Sequence, residues 1–440
     1  MLAVIVVIMA ALCALCIEGA RVVNFTTEGG VAGNKSVSVA EANTRLFNTT
    51  LRSLEPGDTL LFPANATFWM LGGVYAQGLR DATIQIDGTI AFLDNMQAWP
   101  RANDGSVFNC MHFEDLSNIT FTSSGKGTID GHGHVWWGAV EYLLIGTNRP
   151  IMLFMHNGSR LTFEHILFKD SPRFHFQAKD VEDVVIRHCD VDARRTDLPY
   201  HDLFDLTAFN TDGFDIAGKN VHIHDCNIWN DDDCIAVKEQ KGTDFHSTCS
   251  ENMLFERINA SGVGLTIGSI GASQAHTCVR NITFRDSVMH NTFKGIYMKS
   301  RPGEHGGTGE ISDVLYQNIT IYNPTQWAVW IGPQQASYAT ACSLLWPEDP
   351  EAKCPVPDNM KWRNITLRDV LVVNPRMSPG VVLGNSTAPM QDIVFDNVKV
   401  VNPGTQPWGK EYYKCAGVQG GCASNGTMPV PPCFSTTGCG

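Results

Sequence analysis

Three carboxylates stand where a folded sheet can gather them. Asn210-Thr211-Asp212-Gly213-Phe214-Asp215 and Asn230-Asp231-Asp232-Asp233-Cys234-Ile235-Ala236 each run from polar residues into a short apolar strand. Gly262-Val263-Gly264-Leu265-Thr266-Ile267-Gly268-Ser269 and Gly295-Ile296-Tyr297-Met298-Lys299 repeat the pattern with glycines at the start. Phe214, Ile235, Leu265 and Ile296 open the strands at spacings of 21, 30 and 31 residues, which suits successive coils of a solenoid. In-register stacking puts Asp212 and Asp233, each two residues ahead of its strand, about 5 Å apart, with Asp232 beside them. Crowded carboxyls cannot all ionise together, so one is held protonated beside ionised neighbours, as general acid–base catalysis requires. Strand parity sends Tyr297 and Lys299 to the same face, and Lys294 has the same offset from Ile296 as Asp233 has from Ile235.

The elements that must hold these groups are short strands in series. Asn118-Ile119-Thr120-Phe121, Asn281-Ile282-Thr283-Phe284, Asn318-Ile319-Thr320-Ile321 and Asn364-Ile365-Thr366-Leu367 are variants of one phrase, as are Leu161-Thr162-Phe163, Val184-Val185-Ile186, Val221-His222-Ile223 and Asp392-Ile393-Val394-Phe395. Alternation lets one face of each strand point into a core. Uneven separations fit loops of different length on a fixed coil and argue against a propeller. The expected fold is all-β, a single-stranded parallel β-helix. Ser38-Val39-Ala40-Glu41 has the form of a capping box, and Ala40, Phe47, Leu51 and Leu54 follow at helical spacing. Residues 38–54 are therefore expected to form an amphipathic helix closing one end. The Pro-, Gly- and Cys-rich residues 403–440 are expected to cap the other end, leaving 21–402 as the coil domain.

Residues 2–17 are apolar, which predicts a secretory signal over 1–20 and a secreted, extracellular chain. Twelve N-x-S/T acceptors follow, from Asn24 to Asn425, in keeping with a glycoprotein. Removing Cys13 and Cys16 leaves twelve cysteines, an even number that suggests disulfides, with Cys415, Cys422, Cys433 and Cys439 crowding the tail. No C-x-x-C survives, so structural zinc is not expected, and no cofactor is implied. A net charge of −13 argues against nucleic acid as a partner. An acidic substrate would need local cations to overcome that global field. A monomer is expected, with no membrane association after signal cleavage.

These residues resemble glycoside hydrolase family 28, the polygalacturonase family, whose fold is a right-handed parallel β-helix. Pro56-Gly57-Asp58-Thr59-Leu60 and Gly127-Thr128-Ile129-Asp130-Gly131 look like its N-terminal coils, and Ser171-Pro172 with Phe174-His175 resembles a segment ahead of its catalytic turn. Of the family's four signatures, N-T-D is present as Asn210-Thr211-Asp212 and D-D-C as Asp232-Asp233-Cys234. G-H-G is replaced by Gly262-Val263-Gly264, and R-I-K by Tyr297-Met298-Lys299. The resemblance implies hydrolysis of a pectic polysaccharide with inversion, a reaction that needs one protonated carboxyl and others ionised across the sugar. Asp232 takes the part of the general acid, and Asp212 with Asp233 that of the pair acting on water. Lys299 takes the part of the lysine that grips a substrate carboxylate. Tyr297 stands where the family has a guanidinium, and Lys294 or Arg301 could replace that charge, Arg301 reading rather as a solvated loop residue.

Other classes stay open at this point. Some relatives that act on rhamnogalacturonan backbones lack the same His and Arg while keeping the lysine. A Ca²⁺-dependent polyuronide lyase shares the architecture, and Val263 and Tyr297 could mark a binding protein that has lost catalysis. Asp215 and Asp231 read as solvent or turn residues. His175, His222 and His224 read as packed and hydrogen-bonded. Trp136, Trp137, Trp229, Trp327 and Trp330 are candidates for lining sugar subsites.

Overall fold

The computed structural model describes residues 20–137, 148–195, 198–201, 208–240, 249–271, 277–303, 308–335 and 354–438. All but Ala20 of the expected signal, together with Cys342 and Cys439, lies outside these. Among the described residues the chain forms 26 strands joined in one continuous sheet with parallel pairing, and it winds as a right-handed β-helix. No helix among them is long and apolar enough to cross a membrane.

Asparagine and aspartate shape each coil. Within the strand Thr277–His290, Asn281 and Asp286 take φ of 53° and 51°. Their short polar side chains make them the L-residues that best tolerate this left-handed region. The freed amides bond from coil to coil: Asn220 Nδ2 donates to Asp183, Asn252 Nδ2 to Asn220 and Asn281 Nδ2 to Asn252. A second ladder climbs from Asn291 through Asn323 and Asn374 to Asn402. This is why Asn-Ile-Thr recurs: the asparagine turns the chain, the isoleucine enters the core and the threonine faces out. Inside, like stacks on like. Phe255 lies 4.5 Å from Phe284, which lies 4.6 Å from Tyr316, and all three are shielded from water.

The helix is Val37–Ser53, and its buried Ala40, Phe47 and Leu51 close one end of the coil over Phe25, Phe62 and Phe68. Its N-cap is Ser36, not Ser38. Ser36 has the extended backbone that a cap requires, and its Oγ accepts from Val39 N. At the far end Tyr413–Ala416 adds to Gly380–Leu383, and a Cys415–Cys433 disulfide ties the tail. Cys249 and Cys278 pair across one rung, and Cys354 and Cys422 are also disulfide-bonded. The even cysteine count overstates the crosslinks. Cys110, Cys189, Cys226 and Cys234 are free and buried, small apolar side chains filling the core.

The expected register of the site strands is observed: Phe214, Ile235, Leu265 and Ile296 are successive partners facing the core. The next residue of each strand points outward, so one column runs along the outer face of this sheet. From the N-terminal coils it reads Tyr75, His112, Phe154, Gln177, Asp215, Ala236, Thr266, Tyr297, Trp330, Val381 and Lys414. The first four are half-exposed, and the next six are buried.

Candidate active site

Asp212, Asp232 and Asp233 meet where that column passes from open to covered, each offering an oxygen within 4.8 Å of the others. Asn210 makes this possible by turning with φ 63°, which aims its backbone N–H at Asp232 Oδ2, 3.1 Å away. Thr211 Oγ1 accepts from Asp231 N, and Asn230 Nδ2 donates to both Thr211 O and Asp233 O at 2.9 Å. The two acidic turns are thus sewn together by the polar residues that flank the acids. Gly264 lies beside them at φ 144°, and a Cβ there would stand 2.1 Å from Gly295 O, so only glycine fits. Between Asp233 and Ile235 the register slips by one residue, and Cys234 is tucked into the core.

The environment sorts the acids. Burial, then the charges of Asp212 and Asp233, pushes Asp232 up to about 8. Burial would raise Asp233 as well, but the ammonium groups of Lys299 and Lys238 outweigh it and hold this carboxyl below its ordinary value. Lys299 Nζ is 2.8 Å from Asp233 Oδ2, while Thr266 Oγ1 donates to Oδ1 at 2.8 Å. Asp212 is raised by burial and by Asp215, against the pull of Lys238. At neutral pH one acid is protonated beside one that is ionised, and the group titrates as a set.

Lys238 is the counter-ion beneath the cluster, with Nζ 3.6 Å from Asp212, 3.4 Å from Asp215 and 3.6 Å from Asp233. On the C-terminal side Lys294 is 6% exposed, donates to Gln326 Oε1, and lies over the rings of Tyr297 and Trp330 at 4.8 and 5.3 Å. Burial, then the charge of Lys299, pushes Lys294 down to about 7. On the N-terminal side Arg149 donates to Asn210 Oδ1 at 3.1 Å, and burial brings it down to about 10. Arg173, held over the Phe174 ring, is likewise lowered by burial, and both arginines feel the charge of Asp212.

Every proposed site residue lies in this region, but not always as its type suggested. Tyr297 is 5% exposed and carries Lys294 on its ring and Lys299 Nζ at 4.5 Å, so its face is taken by lysines. Arg301 is exposed, as expected of a loop charge. Asp215 and Asp231, expected as solvent or turn residues, are both buried at 1% exposed; Asp215 lies in a strand and Asp231 in the bend before the next one. Asp215 lies in the shared field of Lys238, and Asp231 binds His201 Nδ1 at 2.9 Å. His201 Nε2 reaches Ser261 Oγ at 2.9 Å, and its ring stacks on Trp229. His175 is packed as expected: Ser171 N donates to its Nε2, its Nδ1 meets Thr211 O, and burial lowers it to about 4. His222 and His224 bond to Glu256 and Asp225. Trp136, Trp137, Trp327 and Trp330 are 4% exposed or less and line no open surface. Lys238, Arg149, Arg173 and His201 were missed. Parity would have found Lys238, which is two residues past the outward Ala236.

Coil and cluster together define a β-helical protein that gathers carboxyls of unequal proton affinity on its outer sheet. The sequence profile of Glycosyl hydrolases family 28 matches residues 60–424, and the chain belongs to that family. It is 27% identical over 334 residues to a polygalacturonase of Chamaecyparis obtusa, covering 74% of this chain and 58% of that relative. It is 24% identical over 401 residues to an exopolygalacturonase of Cochliobolus carbonum, covering 84% and 80%. In structure it superposes on the endo-xylogalacturonan hydrolase of Aspergillus tubingensis with a TM-score of 0.63 and 22% identity, over 92% of this chain and 99% of the other.

Proposed function

We propose that this chain hydrolyses α-glycosidic bonds in the uronate-containing backbone of a pectic polysaccharide. The observation that carries the reading is the unequal pair Asp232 and Asp233, one raised to about 8 and one lysine-held and ionised, within a cluster less than 5 Å across. Asp232 protonates the glycosidic oxygen as the C–O bond breaks. Asp233 takes a proton from the attacking water, which Asp212 orients. Lys299 grips a substrate carboxylate, with Lys294 beside it and Tyr297 supporting both. Lysines and arginines around the cluster supply the local cations that a chain of net charge −13 needs to receive an acidic polymer.

Inverting glycosidases usually hold their carboxyls about 6.5–9.5 Å apart and retaining ones about 5–5.5 Å. The nearest oxygens here are closer, with Lys238 bridging Asp212 and Asp233 and Lys299 pairing with Asp233. We assign inversion, with water entering between Asp232 and the pair. Nuclear magnetic resonance of the first-formed product tests it, since a retained anomer would make Asp233 or Asp212 a nucleophile. The substrate is tested by reducing-end release on polygalacturonate, xylogalacturonan and a rhamnogalacturonan backbone in parallel. Val263 lies against the covered aromatic cluster and Tyr297 within it, which favours a polymer other than plain polygalacturonate. Failure on all three sinks the reading. An ultraviolet-absorbing product lost in chelator would identify a lyase instead. The apolar leader supports export with cleavage near residue 20, leaving a monomeric coil domain over 21–402 capped by 403–440.

A further inference from the structure

One buried carboxyl beside the acid has no part in the reaction proposed above. Asp231 immediately precedes Asp232 and its side chain is shielded from water, yet it lies outside the group of three. A carboxylate buried in this way is costly unless it is paired and hydrogen-bonded. The group that faces it is His201, from the connection between the strands Asp190–Asp192 and Phe214–Trp229.

Both ring nitrogens of His201 are engaged. Nδ1 is 2.9 Å from Asp231 Oδ1, and Nε2 is 2.9 Å from Ser261 Oγ, which donates to His290 O at 2.7 Å. A carboxylate only accepts, so Nδ1 carries a proton. The ring packs against Trp229 at 4.9 Å and Phe293 at 5.3 Å. The turn is also tied through its backbone: Asn230 N donates to Ser261 O at 2.9 Å, Asp231 N to Thr211 Oγ1 at 3.0 Å and Val263 N to Asp232 O at 2.7 Å. Neighbouring coils thus hold the main chain that presents Asp232, and His201 holds the side chain next to it. Other charges nearby are engaged elsewhere. Arg194 stacks on Trp229 at 4.1 Å and pairs with Asp192, the His290 ring lies on Tyr322, and Lys238 and Lys299 pair with Asp233.

We propose that His201 is a positioning residue for the acid, resting on the function proposed above. Through Asp231 it fixes the turn that aims Asp232, and by donating to that carboxylate it draws the Asp231 charge away from the Asp232 proton. A bare carboxylate one residue from the acid would hold that proton more tightly, and a neutral amide there would hold it less tightly. The two partners of one hydrogen bond therefore act on the acid with opposite sign, which a packing role alone would not produce.

The test compares Asp231→Asn, His201→Phe and His201→Gln in the full chain. Two titrations are read: the carboxyl carbon resonance of Asp232 in isotope-labelled protein, identified by its absence from Asp232→Asn, and the alkaline limb of the rate profile. His201→Phe keeps a packed ring and bares the Asp231 charge, so both should move up by about one pH unit, with kcat down about tenfold and KM unchanged. Asp231→Asn should move both down. His201→Gln retains a donor and should lie close to the unaltered protein. Thermal melting identifies any variant that does not fold, and Asp231→Asn, nearly the native shape, carries the sign test by itself. Movement of the same sign in Asp231→Asn and His201→Phe, or none in Asp231→Asn, overturns the link. Cleavage of a pectic polymer with an unmoved resonance sinks the link and keeps the hydrolase. Opposite movements of the resonance in a protein that cleaves no such polymer keep the link and sink the hydrolase.

Discussion

Two stretches of one column of side chains, on either side of the acids, have opposite fates. Toward the N-terminus, Tyr75, His112, Phe154 and Gln177 are half-exposed on a bare sheet. Toward the C-terminus, Thr266, Tyr297, Trp330 and Val381 occupy equivalent positions and are buried. The backbone is the same parallel ladder on both sides. What differs is what lies on top: Trp327, Trp408, Val356 and Met377 pack over the C-terminal rungs, and nothing comparable among the described residues packs over the N-terminal ones. A solenoid repeats its frame but not its surface, and the acids sit at the boundary. A deep, low-dielectric flank raises one carboxyl while an open flank admits a ligand.

The comparison can be broken at several points. At the boundary, Asp232→Asn should lower kcat by about 10³-fold with ligand binding retained, read by initial rates and calorimetry. Near-normal turnover would remove Asp232 as the acid. On the covered side, Trp330→Ala should cost about 3–5 kcal/mol of stability by opening a cavity, whereas Phe154→Ala on the open side should cost about 1 kcal/mol or less. Equal shifts in denaturant midpoint would erase the distinction between the flanks. Lys299→Ala should raise KM on a uronate polymer by about tenfold or more and move the acid limb of the rate profile upward, because Asp233 loses its leading stabilising charge. The smallest effect is in the unaltered pH profile. Activity should fall above about pH 8 as Asp232 ionises, and KM on a uronate should begin to rise above about pH 7 as Lys294 loses its proton. A KM flat through that range would remove Lys294 from substrate recognition.

The fold was legible because the coil spells itself out. Turn asparagine, core residue and outward threonine recur, and the register of Phe214, Ile235, Leu265 and Ile296 follows from counting. The acidic cluster was legible for the same reason, since two acidic turns one coil apart must meet. What was not legible is whatever depends on the covering layer. Asp215 and Asp231 read as solvent or turn residues because run-length says nothing of depth, and their partners Lys238 and His201 come from just past the next strand and from a preceding loop. Tyr297 reads as a sugar platform, and the tryptophans as subsite, core or cap residues, because an aromatic ring suits any of these. The second apolar body decides for Tyr297, Trp327 and Trp330, and the main core for Trp136 and Trp137.

The asparagine ladder has a consequence for the N-x-S/T motifs. Asn118, Asn281, Asn318 and Asn364 each begin such a motif, and each gives its amide to an acceptor one rung away, Asp81, Asn252, Asp286 and Asp313 respectively. A carbohydrate acceptor site and a corner of this coil share one spelling. Part of the motif's abundance is a tally of corners, and any sugar attached to the chain must be located by mass, motif by motif, and not inferred from their number.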